Sequence, residues 1–204
     1  MSSSTADLWR GRSAADRAAD RRERLLAAAL ESLGTVGCAA TTVRGVCRGA
    51  GVSLRYFYES FPGLDPLLIA AYDRVADELT AVVLRAIAAP DPQTRVRSAF
   101  AAAMDFIEAD PRRGRILFRE TLASDVLRDH GAATVPGFVS LVAASLTGAA
   151  PDGPAPAMRT ARISALSGAL VALFLDWQSG TLTLGKAELA DYCAELTAVI
   201  FAGG

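Results

Sequence analysis

The chain has 204 residues, 51% hydrophobic and 21% charged, with a formal net charge of −1. This is the composition of a folded soluble protein, long enough for one large domain or two small ones. It contains no run of about 18 apolar residues free of charges or breakers, which argues against a membrane span, and its N-terminus lacks the apolar centre of a signal peptide.

Three widely spaced cysteines, Cys38, Cys47 and Cys193, occur without a CxxC pair. That number and spacing fit neither a disulfide framework nor a zinc site, and a reducing cytoplasm is the simplest home. No metal and no other cofactor is expected. The charge is uneven: residues 1–62 carry nine arginines against six acids, a net of +3, and the remainder nets −4. A basic front on an acidic body suggests two functions in one chain.

β-Branched alternation is nearly absent, and alanine, leucine and arginine dominate, so the chain reads as all-α. Residues 1–20 lack an apolar stripe and read as a flexible basic arm. From Arg21 the pattern changes, with Leu26, Ala29, Leu30 and Leu33 on one helical face. Gly34 and Gly37 stop that helix, and Thr41-Thr42 can cap the next. Val43, Val46, Cys47 and Ala50 repeat the stripe, Gly51 supplies a tight corner, and Val52 to Ser60 forms a third, short helix. Phe61 plugs the core before Pro62-Gly63.

A long helix is expected over about 64–88, with Pro66 in its first turn. Another runs to about Ala109, a shorter one covers about 113–124, and one lies near 135–147 after His130-Gly131. The segment 148–157, GAAPDGPAPA, is the clearest loop. Two final helices cover about 158–180 and 186–201.

Two short helices joined at a glycine corner make a helix-turn-helix, an arrangement suited to the major groove of DNA. Val52 and Phe57 would face inward. Ser53, Leu54, Arg55, Tyr56, Tyr58 and Ser60 are left for the groove and its walls. Tyrosine hydroxyls suit phosphates, and Arg55 suits a phosphate or a guanine edge. Thr42 and Arg44, at the start of the preceding helix, would hold the opposite wall, where the helix N-terminus favours phosphate.

Residues 22–68 resemble the DNA-binding region of the TetR family of bacterial transcriptional regulators. The resemblance is carried by the glycine-ended apolar helix, Thr41-Thr42-Val43, Ala50-Gly51-Val52-Ser53, Phe57-Tyr58, Phe61 and Asp65 before Leu67-Leu68. The chain departs where members often carry a lysine after the Phe61 position, and Leu54-Arg55 stand where lysine and glycine are frequent. The resemblance implies a helix-turn-helix domain over 21–63 and a C-terminal helical ligand-binding and dimerisation domain over 64–204. It also implies a homodimer on a palindromic double-stranded DNA operator, released by a small molecule. The alternative is an activator, or a regulator controlled by a partner protein without an inducer.

For the second domain, Phe100, Met104, Phe106, Phe118, Phe138, Phe174 and Trp177 are candidates to line an apolar ligand cavity, implying a hydrophobic effector. Arg115, Arg119, Glu120 and Asp176 could anchor it, though each reads more simply as surface charge. Ala161, Ala165, Gly168, Ala169 and Ala172 form a small-residue stripe that permits close helix approach. With Leu196, Val199 and Ile200 it makes a candidate homodimer face. His130, the only histidine, reads as a surface or cap residue. No catalytic residues are expected: there is no GxSxG nucleophile motif, and one histidine with scattered acids makes no metal site.

Overall fold

A computed structural model of the chain describes residues 13–87, 92–147 and 156–202, and among them only helices and turns occur. The first helix, α1, spans Ala14–Thr35. It starts earlier than the sequence pattern suggests because Ser13 and Asp16 form a reciprocal capping box, each side chain accepting from the other's backbone N–H at 3.0 and 2.8 Å. Residues 14–20 are therefore helix rather than arm, and residues 1–12 lie outside the described region. Its inner stripe is Leu25, Leu26, Ala29 and Leu33.

α2 (Val43–Ala50) and α3 (Leu54–Ser60) pack across α1. Thr42 caps α2, its hydroxyl oxygen accepting from Gly45 N–H at 3.1 Å. Thr41 instead turns inward, donating to the Gly37 carbonyl at 2.7 Å and pairing with the Ser32 hydroxyl at 2.8 Å. Gly51 ends α2 at φ 60°, ψ 38°. The Val52 N–H returns to the Cys47 carbonyl at 3.0 Å, closing a Schellman turn that a side chain would strain. Val52, Phe57 and Phe61 are buried.

α4 (Leu64–Ala86) joins the two halves. It packs on α1 and on α5 (Pro92–Ala109) and α8 (Asp125–Thr147). Between those two lies one irregular helix: α6 (Pro111–Gly114), a π-type turn (Arg115–Arg119), and α7 (Glu120–Ala123). α8 runs through His130 and tolerates Pro136 inside it, so the expected break at His130-Gly131 does not occur. Gly131 allows close packing instead: a Cβ there would lie 3.2 Å from the Thr121 methyl and 3.3 Å from the Tyr72 hydroxyl.

α9 (Pro156–Gln178) and α10 (Lys186–Ala202) close the bundle. The expected loop at 148–157 lies outside the described residues up to 155, and its last two residues begin α9. Residues 157–178 of α9 are long and apolar but carry Arg159, Arg162 and Asp176, and little of the helix is buried within the protomer. The exposed side of α9 is the small-residue stripe: Ala161, Ala165, Gly168 and Ala172 face outward.

Candidate nucleic-acid interface

α3 is amphipathic in the sense the groove requires. Phe57 is fully buried and anchors the helix on α1, a burial worth about 2–3 kcal/mol. Opposite it, Ser53, Leu54, Arg55, Tyr56 and Tyr58 are exposed and Ser60 is half-buried. Two tyrosines at 42% and 56% exposure on one short helix are an unusual surface unless something covers them. Ser60 Oγ donates to the Tyr56 carbonyl at 2.9 Å, so its hydroxyl proton is already used.

Three α1 arginines brace this face. The Arg21 guanidinium lies 4.4 Å from the centre of the Tyr56 ring, and that of Arg22 lies 4.1 Å from Phe61. Arg22 also donates to the Ser60 carbonyl at 3.2 Å, and Arg24 donates to the carbonyls of Ala50 and of Gly51, the latter at 2.9 Å. Arg21 and Arg22 thus pin α3 to α1, and Arg24 pins the corner between α2 and α3. Their positive charge stays beside the reading face.

Arg55 pairs with Glu59 at 3.1 Å, with side chains 85% and 44% exposed. Such a pair is weak in water, so a phosphate can replace Glu59. Arg44 is exposed at the α2 N-terminus beside the Thr42 cap. The structure thus brings Thr42, Arg44, Ser53, Leu54, Arg55, Tyr56, Tyr58 and Ser60 onto the head formed by α1–α3.

The head is tied to the second half by a charged clamp that sequence reading took for surface charge. The Glu120 side chain is 4% exposed. It accepts from Cys38 N–H at 2.7 Å and from Arg115 Nε at 2.8 Å, and Arg115 also donates to the Thr35 carbonyl at 2.8 Å. Gly37, at φ 88°, leaves room for it: a Cβ there would stand 2.7 Å from an Arg115 nitrogen. Nearby, Arg112 lies over Gly34, where a Cβ would collide at 2.4 Å, and pairs with Glu31 and with Asp110. The signal available in the sequence was Gly34 and Gly37 themselves, read only as helix stops.

A cavity of about 420 Å³ lies between α4, α5, α8 and α9. Phe100, Phe118, Phe138 and Phe174 line it. Met104 and Phe106 do not: both are buried in the core, and Phe106 lies under the Arg113 guanidinium at 4.1 Å. Trp177 is also outside, in a separate groove with Arg115, Arg119 and Asp176. Phe174 and Trp177 are neighbours on α9, but the helix turns Trp177 toward the π-type turn. His130 is mid-helix and half-buried, paired with Asp73 and set edge-on to Tyr72 at 5.6 Å.

Of the candidate dimer residues, Ala165, Gly168 and Ala172 are exposed and Ala169, Leu196 and Ile200 half-buried, while Val199 is 73% exposed. Leu166, Leu170 and Leu189 on the same helices are buried within the protomer.

Residues 25–71 match the family model described as bacterial regulatory proteins, tetR family. The chain carries a tetR-family DNA-binding domain. It is accordingly a DNA-binding transcriptional regulator. No curated protein matches the chain in sequence.

The whole tetR-type fold recurs in solved structures of low identity. A putative transcriptional regulator from Pseudomonas aeruginosa PAO1 is similar at TM-score 0.69 and 21% identity, over 91% of this chain and 92% of that one. The fatty acid degradation regulator FadR from Bacillus halodurans is similar at TM-score 0.69 and 15% identity, over 87% and 94%. The multidrug binding protein EbrR, complexed with imidazole, is similar at TM-score 0.64 and 22% identity, over 86% and 94%.

Proposed function

We propose that the protein is a homodimeric repressor that leaves a palindromic operator when a small hydrophobic molecule fills the α4–α5–α8–α9 cavity. One observation carries the ligand response. The π-type turn at 115–119 touches both sites: Leu117 and Phe118 line the cavity, while Arg115 and the adjoining Glu120 grip the head at Thr35 and Cys38. Such turns sit between two helical registers and often mark functional positions. A molecule pressing on Phe118 acts on the turn that carries Arg115 and leads into Glu120, the two residues that grip the head. Release follows if it binds the DNA-incompetent orientation better, since only differential affinity shifts a population. A solid core would have favoured control by a partner protein, and a cavity of about 420 Å³ favours a small molecule.

The dimer rests on the stripe of α9 and on Val199 of α10. Gly168 meets nothing within 4 Å in the protomer, so a second copy can approach its backbone closely. Two heads are what a two-fold operator requires. The site of action is the cytoplasm, where the operator would be. The solved relatives differ in what their names attach to them, fatty acid degradation or multidrug binding, so the fold alone does not select the ligand.

The test is a random-sequence DNA selection with the full chain, followed by binding of the enriched site with and without apolar compounds. A palindromic consensus released by at least one cavity-sized compound is expected. Absence of any enriched sequence would overturn the regulator reading. An enriched site without two-fold symmetry would overturn the dimer.

A further inference from the structure

We infer that the effector of the α4–α5–α8–α9 cavity is a hydrophobic cation, an aromatic or alkyl body carrying an amine or quaternary ammonium. The inference rests on that cavity being the effector site. Its body is aromatic: Phe118 and Phe174 stack at 5.4 Å with 12° between their planes. Ring faces attract cations and offer nothing to anions.

Among the described residues, the formal charges of the lining are Asp73 and Asp77, and no lysine or arginine lines the cavity. The two lie four apart on α4 and share a helix face. Asp73 is already bonded to His130 Nε2. Asp77 is exposed, which places it at the rim, and it holds no ion pair among the described residues. The neighbouring cation on α4, Arg74, is turned to Glu23 and Glu78 instead.

The hydroxyls of the lining have the same bias. Thr80 donates to the Ala76 carbonyl at 2.8 Å and Ser167 to the Ile163 carbonyl at 2.7 Å. Thr134 donates back to its own helix, to the His130 carbonyl at 3.1 Å. Their protons are used, and lone pairs are what remain for a guest. A carboxylate entering this cavity would lose its hydration and meet no donor of charge. An ammonium would meet Asp77 at the rim and aromatic faces inside.

The test is calorimetric titration of the full chain with three compounds on one scaffold: phenylhexyl trimethylammonium, phenylhexanol and phenylhexanoate. The ammonium is expected to bind about tenfold tighter than the alcohol, with the carboxylate weakest. Asp77→Asn should bring the ammonium to the alcohol's affinity and leave the alcohol unchanged, which also shows that the variant is folded. Equal affinities, a preferred carboxylate, or an ammonium preference that survives the Asp73→Asn/Asp77→Asn double variant would overturn the assignment of charge while leaving the cavity as effector site. Failure of all three compounds to bind a protein that still binds its DNA would overturn the effector-site reading itself.

Discussion

Removing Arg115 should harm the protein more than removing its partner Glu120, and removing both should harm it less than removing Arg115 alone. The reasoning is one of burial. The Glu120 side chain is 4% exposed and that of Arg115 31%. Arg115→Ala strands a carboxylate away from water with one remaining donor, the Cys38 N–H at 2.7 Å. Breaking a buried pair in this way costs about 3–5 kcal/mol, and the surviving bond places it near the lower end. Glu120→Ala leaves a guanidinium that reaches solvent and keeps the Thr35 carbonyl, so the main loss is the orphaned Cys38 N–H, about 1–2 kcal/mol. The double variant removes the stranded charge and should fall close to Glu120→Ala. Urea unfolding of the four proteins at one protein concentration reads these differences as midpoints with a common slope. Additive losses, or a Glu120→Ala variant less stable than Arg115→Ala, would refute the buried clamp.

Other consequences follow from single residues. Val199→Glu places a charge on a side chain 73% exposed in the protomer; light scattering should show a folded monomer whose operator binding is lost. Burial pushes the Cys193 thiol up to about 12 and raises that of Cys47, whereas Cys38 is half-buried. A thiol reagent at neutral pH should therefore label Cys38 first in the native protein and all three only after unfolding. Arg112, bonded to Asp110, holds that carboxyl below its ordinary value of 3.8. Its folded pKa is depressed, so its stabilisation is present above that value and lost as pH falls below it. Arg112→Ala should flatten the acid end of the stability profile, measured by thermal unfolding between neutral pH and pH about 3.

The head was legible because its signals are local. Thr42 as cap, Gly51 as corner and Phe57 as anchor each act within a few residues, and their spacing survives without knowledge of the rest. The α1 start at Ala14 was missed because the Ser13–Asp16 box stabilises a turn that has no apolar stripe. His130-Gly131 looked like a helix end, yet α8 continues because Gly131 admits Tyr72 closely. That contact is distant in sequence and leaves no periodic trace. The clamp was hidden for the same reason: Glu120 and Cys38 meet across 82 positions. Among the cavity residues, apolar composition alone could not separate Phe118, on the cavity wall, from Met104, in solid core.

The central claim is that the exposed face of α3, with Arg44, grips DNA. The decisive measurement is the affinity for the selected operator as a function of salt, for the wild type, Arg44→Ala and Tyr58→Ala. Arg44→Ala takes away one phosphate partner, so it should lower affinity and reduce the slope of log affinity against log salt by about one. Tyr58→Ala should weaken binding with fold and dimer intact. Variants that bind the operator as tightly as the wild type, with the same salt slope, would contradict the account.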